Sequence, residues 1–347
     1  MAALPRPQLA ERLRWARAWQ RAGLGSAPPS TVAGCWPTCS YTFRCPPGWN
    51  TSDLSRASER VAIASGSHWW ELQPSSDGRW MLLIDASDWR HLRGVQLRPT
   101  VGDLTVPIGR YPEGVASWDL RLSPHLLVAG ATGSGKSSFL RALVACLPLG
   151  WCWRVIIIDP KQLDFAPASD VLEVVEQRDA AAVMAGLVEE LNHRKSALKS
   201  ASRDHWTDLP TRVVPTRPTL LVIDEAADVL GGVGVRRMDT QQLRDDFGTL
   251  ARQGRACGIH LVASFTRPDA DVIPGAMRDQ FGARVGLGPL SPDGARMVFG
   301  GAQLPTLPDA LPGTGLALGL DGRQRVHRFG VPFYTLDDVV CRHSARS

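Results

Sequence analysis

Short, uninterrupted apolar runs alternate with segments of helical periodicity through the middle of the chain. Four such runs are typical of strands that are buried on both faces of a parallel sheet: Leu126–Ala129, Arg154–Lys161, Thr219–Glu225 and Gly258–Ser264. Helical segments follow the first two runs, at Ser138–Leu147 and Asp179–Ser200. Further strands are predicted at Ala283–Gly288, Thr314–Leu318 and Arg325–Phe329. Strands that alternate with helices predict right-handed crossovers and a mostly parallel, doubly wound α/β sheet.

The first residues have a different pattern, typical of a basic amphipathic helix over Gln8–Ala22. Its apolar residues share one side (Leu9, Leu13, Ala16 and Trp19), and its arginines share the other (Arg14, Arg17 and Arg21). The helix either packs on a main domain with a solvated arginine face or contacts phosphates, an acidic lipid surface or a neighbouring subunit. The segment that follows, Gly23–Pro47, is rich in Gly, Pro, Ser and Thr and is predicted to be an irregular linker.

A small α/β domain is predicted between the linker and the central apolar runs. N-cap candidates in Thr51–Ser55 precede a helix that runs to about Ile63, and two strands follow, Trp69–Gln73 and Arg79–Asp85, joined by a turn. A further strand pair, Val106–Arg110 and Ala116–Leu120, leads into the first central strand. The predicted domains are therefore residues 1–47 (helix and linker), 48–100 (small domain), 101–340 (main domain) and 341–347 (tail).

Composition indicates a globular protein, because 44% of the 347 residues are hydrophobic and 21% are charged. No apolar run reaches the roughly 18 residues that a membrane span needs, and the N-terminus lacks a signal-peptide core. We therefore expect a cytoplasmic protein that reaches a membrane only through partners. The net charge of +5 is too mild to identify a nucleic-acid partner.

The seven cysteines are expected to be reduced thiols, because the chain shows no export signal. Three of them, Cys35, Cys39 and Cys45, are the candidates for a zinc site. The nearest fourth ligand, His68, has no paired ligand close to it, which makes a zinc site the weaker interpretation.

Candidate chemistry begins at Gly130-Ala-Thr-Gly-Ser-Gly-Lys-Ser137, which fits the phosphate-binding pattern G-x-x-x-x-G-K-[ST] at every fixed position. Its glycines allow a sharp turn with inward-pointing N–H groups, and the following helix N-terminus favours an anion. Lys136 is predicted to bind the β- and γ-phosphates of ATP, and Ser137 to ligate Mg²⁺. The predicted nucleotide-binding residues are Gly130, Ala131, Thr132, Gly133, Ser134, Gly135, Lys136, Ser137 and Ser138.

Two acids, Asp224 and Glu225, end the third central strand. The carboxyl ends of parallel strands lie at one edge of a sheet, so these acids are expected beside the phosphate-binding loop. Asp224 is predicted to hold Mg²⁺, and Glu225 to act as the general base on water, which favours hydrolysis over simple nucleotide binding. Two solvated loop acids are the alternative.

The fourth central strand should carry a polar residue that senses the γ-phosphate, and Ser264 and Thr266 are available there. Two arginines, Arg252 and Arg255, precede that strand. In a ring, one of them would reach a neighbour's site, where an arginine stabilises the charge of phosphoryl transfer; Arg255 is the catalytic candidate. The alternative is a surface helix with solvated arginines.

The chain resembles the FtsK/SpoIIIE family of ring-forming DNA translocases, including Tra-type conjugation motors of actinomycete plasmids. The resemblance spans roughly Val106–Leu336, and six segments carry it in the family's order: Pro124–Ser137, Ile158-Asp-Pro-Lys161, Val222–Asp228, Gly254–Ala263, Arg267–Ile273 and Leu311-Pro-Gly-Thr-Gly315. It implies a RecA-like motor, hexameric and driven by ATP with Mg²⁺, that threads double-stranded DNA. It also implies that Asn50–Leu97 corresponds to the small α domain that precedes the motor in that family.

The chain departs from the family's pattern at Thr266, where a Gln is usual, and it lacks the membrane-spanning and DNA-reading domains of the cell-division members. A short motor for a conjugative plasmid or mobile element, with membrane-anchored transfer partners, is therefore favoured. Candidate pore loops are Gly232–Arg237 and Arg203-Asp-His-Trp206. The alternatives are a related ring ATPase that moves protein and a nucleotide-switched adaptor for transfer or replication factors.

Overall fold

The computed structural model describes residues 6–35, 38–67, 69–75, 77–85, 97–101, 103–111, 114–148, 153–209, 217–232, 237–300, 312–322 and 326–344. The chain divides into two compact units, a smaller one at the N-terminal end and a larger one that contains most of the chain from residue 97 onward.

The smaller unit consists of a four-stranded antiparallel sheet and two helices. Its elements are α1 (Arg6–Arg21), β1 (Ser30–Cys35), β2 (Thr38–Phe43), α2 (Thr51–Ala64), β3 (Trp69–Pro74) and β4 (Trp80–Asp85). The strand order is β1-β2-β4-β3. Helix α2 begins earlier than predicted, because its N-cap is Asn50 and not a residue of Thr51–Ser55. Asn50 and Asp53 form a reciprocal capping box: each side chain accepts a hydrogen bond from the other residue's backbone N–H.

Two sequence predictions for this unit are wrong. Residues Gly23–Pro47 are not an irregular linker, because they contain the antiparallel hairpin β1–β2. The core face of α1 also differs in part from the predicted one: Trp19 is buried as expected, but Leu9 and Leu13 are 53% and 51% exposed. The helix instead buries Trp15 and Trp19 among aromatic side chains, and the Trp15 ring stacks on Tyr41 at 4.6 Å between centroids. Burying two indoles gains more than burying two leucines, and this sets the helix rotation.

The larger unit is built on a ten-stranded sheet. Its strands are β5 (Thr105–Tyr111), β6 (Gly114–Asp119), β7 (Leu126–Gly130), β8 (Arg154–Ile158), β9 (Glu173–Val175), β10 (Thr219–Ile223), β11 (Ile259–Phe265), β12 (Ala283–Leu287), β13 (Thr314–Leu318) and β14 (Val326–Gly330). Its helices are α3 (Lys136–Ala145), α4 (Ala180–Ser200), α5 (Ala226–Gly231), α6 (Arg237–Gln253), α7 (Gly275–Arg278), α8 (Pro292–Phe299) and α9 (Leu336–Ser344).

The strand order is β6-β5-β14-β13-β12-β7-β11-β10-β8-β9. The six strands from β12 to β9 in that order are parallel, whereas β13, β14 and β5 pair antiparallel. Every residue of β7, β10 and β11 is buried, so helices or loops cover both faces of the sheet. The prediction of a mostly parallel α/β sheet is confirmed.

The sheet order brings the chemistry-bearing loops to one edge. In the parallel register, Gly130 lies next to Leu287, and Ile223 pairs with both Ala263 and Ile158. The segments that leave the carboxyl ends of β7, β8, β10 and β11 therefore start side by side. Because β11 lies between β7 and β10, a residue just after β11 is placed between the phosphate-binding loop and the two acids that follow β10.

Candidate nucleotide-hydrolysis site

Two glycines of the loop between β7 and α3 are required by close packing. A Cβ on Gly130 would lie 2.5 Å from the Leu287 carbonyl oxygen. Gly135 has a left-handed φ of +102°, and its Cβ would lie 2.7 Å from the backbone nitrogen of Gly313. That same nitrogen donates a 2.7 Å hydrogen bond to the Ser134 carbonyl. The loop is thus fixed against β12 and against the segment that leads into β13.

The ammonium group of Lys136 points back into the loop. Lys136 is only 7% exposed, and its Nζ donates to the carbonyl oxygens of Gly130 at 2.7 Å and Ala131 at 3.5 Å. A lysine ammonium has three donors and no acceptor, so an anionic oxygen fits at this position. Together with the α3 N-terminus, the loop has the properties of a phosphate site.

The other predicted nucleotide-binding residues divide by exposure. Ala131, Thr132 and Gly133 are exposed, whereas Ser134 is buried. The hydroxyl oxygen of Ser138 accepts a 3.3 Å hydrogen bond from the Tyr334 backbone N–H. Ser138 therefore takes part in fixing α3 to the C-terminal segment.

Ser137, the candidate magnesium ligand, donates from its Oγ to Asp164 Oδ2 at 2.8 Å. Asp164 lies in the turn after β8, and its other carboxylate oxygen accepts from Arg141 Nη2 at 2.7 Å. The residues joined in this way come from the phosphate-binding helix and from a neighbouring strand end. The sequence analysis gave Asp164 no role.

Asp224 is 5% exposed at the end of β10, where it is surrounded by acids. Its pKa is raised, first because burial disfavours the charged form and then because Asp164 and Glu225 repel its charge; a hydrogen bond from Ser264 acts in the opposite direction. Hydroxyl and carboxylate oxygens are the ligands that Mg²⁺ prefers, and a divalent cation would neutralise this concentration of negative charge. The side chains present therefore fit a magnesium ion.

Glu225 has a left-handed backbone conformation, with φ of +49°. Such a conformation is uncommon outside glycine, and it directs this side chain toward the loops around it. The Glu225 carboxylate accepts from Thr266 Oγ1 at 3.0 Å and from Lys161 Nζ at 3.4 Å, and it lies 3.8 Å from Lys136 Nζ. A candidate base, a hydroxyl and two cations are thereby brought together.

Lys161 is a residue of the site to which the sequence analysis gave no role, although it quoted the segment that contains it. Burial alone would lower the pKa of Lys161, but the carboxylates of Glu225 and Asp224 outweigh this effect and raise it. The lysine therefore stays cationic beside Glu225. The signal available in the sequence was its position just after a buried parallel strand, the same signal that indicated Asp224 and Glu225.

Arg255, by contrast, lies far along the sheet from its own phosphate-binding loop. Arg255 precedes β11, whereas Thr266 and the candidate site follow it. Arg255 and the site therefore lie at opposite ends of this strand. Its Nη2 donates to the Arg121 carbonyl at 2.6 Å. Arg252 is exposed and its Nη2 contacts Thr249 Oγ1 at 3.4 Å. Action of either arginine at a neighbour's site stays a prediction.

The remaining candidates are placed as follows. In the candidate pore segment Arg203–Trp206, Arg203 and Asp204 are exposed but Trp206 is buried. In the other candidate pore segment, Gly232–Arg237, residues 233–236 lie outside the described part of the chain. The candidate zinc ligand His68 is also outside it, and no cluster of three or more metal-ligating side chains occurs among the described residues. Among the described residues, Cys39, Cys45, Cys146, Cys257 and Cys341 form no disulfide bond.

Comparison with known proteins agrees with this geometry. Residues 99–219 match the family model described as FtsK/SpoIIIE family. A DNA translocase FtsK of Corynebacterium glutamicum is 26% identical over 297 residues, which are 76% of this chain and 32% of that protein. A DNA translocase FtsK of Mycobacterium tuberculosis is 27% identical over 250 residues, 65% of this chain and 29% of that protein. The chain thus spans about a third of the length of these curated relatives.

Two solved structures share the fold. The pCW3 conjugation coupling protein TcpA, solved as a monomer with ATPγS, superposes with a TM-score of 0.63 at 19% identity, covering 97% of this chain and all of that chain. The cytoplasmic domain of the type VII secretion ATPase EccC of Thermomonospora curvata gives 0.56 at 23% identity, covering 74% of this chain and 32% of that chain. The larger unit therefore has the fold of P-loop ATPases. No helix in the described ranges has the length and apolarity needed to span a membrane.

Proposed function

Because this chain belongs to the FtsK/SpoIIIE family, we propose that it is an ATPase that translocates double-stranded DNA. The observation that carries the hydrolytic part is the position of Glu225. Its carboxylate lies 3.8 Å from the phosphate-binding Lys136 and is held by Thr266 at 3.0 Å. A protein that only binds nucleotide needs no carboxylate there, whereas a hydrolase needs a group that takes a proton from water.

The side chains divide the work of hydrolysis among them. Lys136 and the backbone N–H groups at the start of α3 bind the phosphates, and Ser137 with Asp224 holds Mg²⁺. Bound Mg²⁺–ATP supplies the phosphoryl group and neutralises charge that develops on it. Glu225 orients and deprotonates the attacking water, while Thr266 and Lys161 fix the direction of its carboxylate. Thr266 is placed to respond to the γ-phosphate through this same contact.

We also propose that the protein works as a homohexameric ring around DNA. Arg252 and Arg255 precede β11, whereas the candidate site follows β11, which supports a role for one of them in the site of an adjacent subunit. DNA contact would be made with phosphates, independent of sequence and strongly dependent on salt. Transfer of conjugative plasmid or mobile-element DNA, with membrane-anchored partners, is the process that we propose.

The test is the rate of ATP hydrolysis with and without duplex DNA. We expect DNA to stimulate hydrolysis, and Glu225→Gln to lower the rate at least about 100-fold while nucleotide still binds. Glu189→Gln, an exposed carboxylate on α4, is the matched control and should behave as wild type. Hydrolysis that is indifferent to DNA would indicate a motor that moves protein. No hydrolysis, with Lys136→Ala leaving partner recruitment intact, would indicate an adaptor.

The Glu225→Gln variant, mixed with an Arg255→Ala variant, also tests whether neighbouring subunits share a site. Subunits with Arg255→Ala retain Glu225, and subunits with Glu225→Gln retain Arg255. If the arginine acts in a neighbouring site, a mixture of the two inactive proteins regains hydrolysis, because some interfaces combine both intact residues. A mixture as inactive as its components would contradict the shared site.

A further inference from the structure

The hydroxyl of Ser137 has a specific acceptor, the carboxylate of Asp164. We propose that Asp164 is a positioning residue for magnesium: it takes the proton of Ser137 and thereby turns the hydroxyl lone pairs toward the metal. This inference rests on the proposed ATP–magnesium site and adds a residue to it.

The argument starts from the hydrogen-bonding capacity of serine. A hydroxyl has one donor hydrogen and two acceptor lone pairs, and only a lone pair binds a cation. A hydroxyl that ligates Mg²⁺ must therefore send its hydrogen elsewhere. The 2.8 Å contact from Ser137 Oγ to Asp164 Oδ2 supplies that acceptor, and the ionised carboxylate makes the bond stronger than a neutral one.

Asp164 is itself held at both ends. Its Oδ1 accepts from Arg141 Nη2 at 2.7 Å, and Arg141 lies one helical turn after Ser137 on α3. The Asp164 backbone N–H donates to Asp159 Oδ2 at 3.1 Å. A carboxylate fixed through its side chain and its backbone cannot rotate away from the serine, as a positioning role requires.

The turn that carries Asp164 is organised by one buried carboxylate. Asp159 is 1% exposed and accepts hydrogen bonds from four backbone N–H groups, those of Lys161, Gln162, Asp164 and Phe165. These bonds fix a tight loop that includes Gln162 with a left-handed φ of +53°. The geometry of Asp164 is thus built into the fold of the β8 edge.

A purely structural role for Asp164, as a tether for Arg141, makes a different prediction. A tether would affect stability and all nucleotide binding equally. A positioning residue for magnesium affects only the part of the nucleotide affinity that Mg²⁺ provides. Replacing a side chain that orients a metal ligand typically costs about 10- to 100-fold in metal affinity.

The experiment measures the affinity for a fluorescent ATP analogue in Mg²⁺ and in EDTA. For Asp164→Asn we expect wild-type affinity for the analogue in EDTA. The increase in affinity that Mg²⁺ provides should be at least about 10-fold smaller than in the wild type. Ser137→Ala should lose at least as much, because it removes the ligand itself, and the double variant should lose no more than Ser137→Ala alone, because Asp164 acts through that hydroxyl. Asp170→Asn, an exposed acid in the same loop region, is the matched control. Thermal unfolding of each variant verifies that it is folded.

The outcomes separate this inference from the proposed function. Wild-type binding that does not depend on Mg²⁺ would overturn the proposed site itself. A normal magnesium gain in Asp164→Asn, additive losses with Ser137→Ala, or equal loss in EDTA and Mg²⁺ would each overturn the positioning role and leave the ATPase intact. If Asp164→Asn does not fold, Arg141→Met tests the same contact, because it releases the Asp164 carboxylate while leaving Ser137 unchanged.

Discussion

Replacing Gly135 with alanine is expected to damage the phosphate-binding loop even without nucleotide. The new Cβ would lie 2.7 Å from the Gly313 nitrogen, whereas ordinary contact begins at 3.4 Å, so the two backbones must separate by about 0.7 Å. The left-handed φ of +102° costs an alanine about 1–2 kcal/mol, and overpacking against a fixed backbone adds about 1–3 kcal/mol. We expect a total loss of about 2–5 kcal/mol in the free energy of unfolding.

Gly133→Ala is the matched comparison. Gly133 has a similar left-handed φ of +79°, but no atom lies within 4 Å of its Cβ position. Only the conformational cost of about 1–2 kcal/mol applies to it. Urea unfolding of both apo variants measures the difference, and Gly186→Ala, in open space on α4, should stabilise by up to about 1 kcal/mol. If Gly135→Ala and Gly133→Ala cost the same, the packing of the loop on Gly313 is not what requires the glycine.

Two further predictions concern the strands next to the loop. Thr266→Val removes the hydroxyl that holds Glu225, so kcat should fall about 10-fold with KM unchanged. Thr266→Ser keeps the hydroxyl and should retain most activity. Equal rates of ATP hydrolysis for the two variants would exclude a role for the hydroxyl. Burial lowers the pKa of His125 to about 3 and that of His260 to about 4, while an unfolded histidine titrates near 6.5. The folded state thus cannot take up these protons, so lowering the pH from about 7 to about 5 should cost about 2 kcal/mol of unfolding free energy per histidine. His125→Gln with His260→Gln should remove about 4 kcal/mol of this pH dependence in urea titrations, and an unchanged slope would contradict the assignment.

Most of the larger unit was predictable because its strands are buried on both faces. Runs such as Thr219–Glu225 need no partner to be recognised, and the strand begins at Thr219 as predicted but ends at Ile223, before the two acids. The hairpin β1–β2 was missed for the opposite reason: many of its residues, such as Thr31 and Ser40, are small or polar. Its strand β2 also pairs with β4, a contact between segments that are distant in the sequence. Composition alone resembles that of a linker there.

The candidate site was predictable where one strand end carried its own signal. Lys136, Asp224 and Glu225 each belong to a short pattern with a known mechanism. Asp164 was missed because it follows β8 by six residues, and its approach to Ser137 depends on how Asp159 folds the turn. A motif records spacing along one segment, whereas this contact depends on the path of a second segment through space. The domain boundaries proposed from the sequence stay predictions.

The position of β11 explains why Glu225 is the point where these segments meet. Strand β7, which leads into the phosphate-binding loop, and strand β10, which leads into Asp224 and Glu225, are not neighbours, because β11 lies between them. The Glu225 carboxylate, which follows β10, is therefore separated from the phosphate-binding loop by the width of β11. A residue at the end of β11 must supply a small polar contact to this carboxylate. Thr266 makes it, at 3.0 Å from the carboxylate. Lys161 approaches Glu225 from β8 on the other side, at 3.4 Å. Movement of β8 or β11 relative to β10 would change the direction of the same carboxylate, so hydrolysis in this arrangement depends on the alignment of the whole sheet edge.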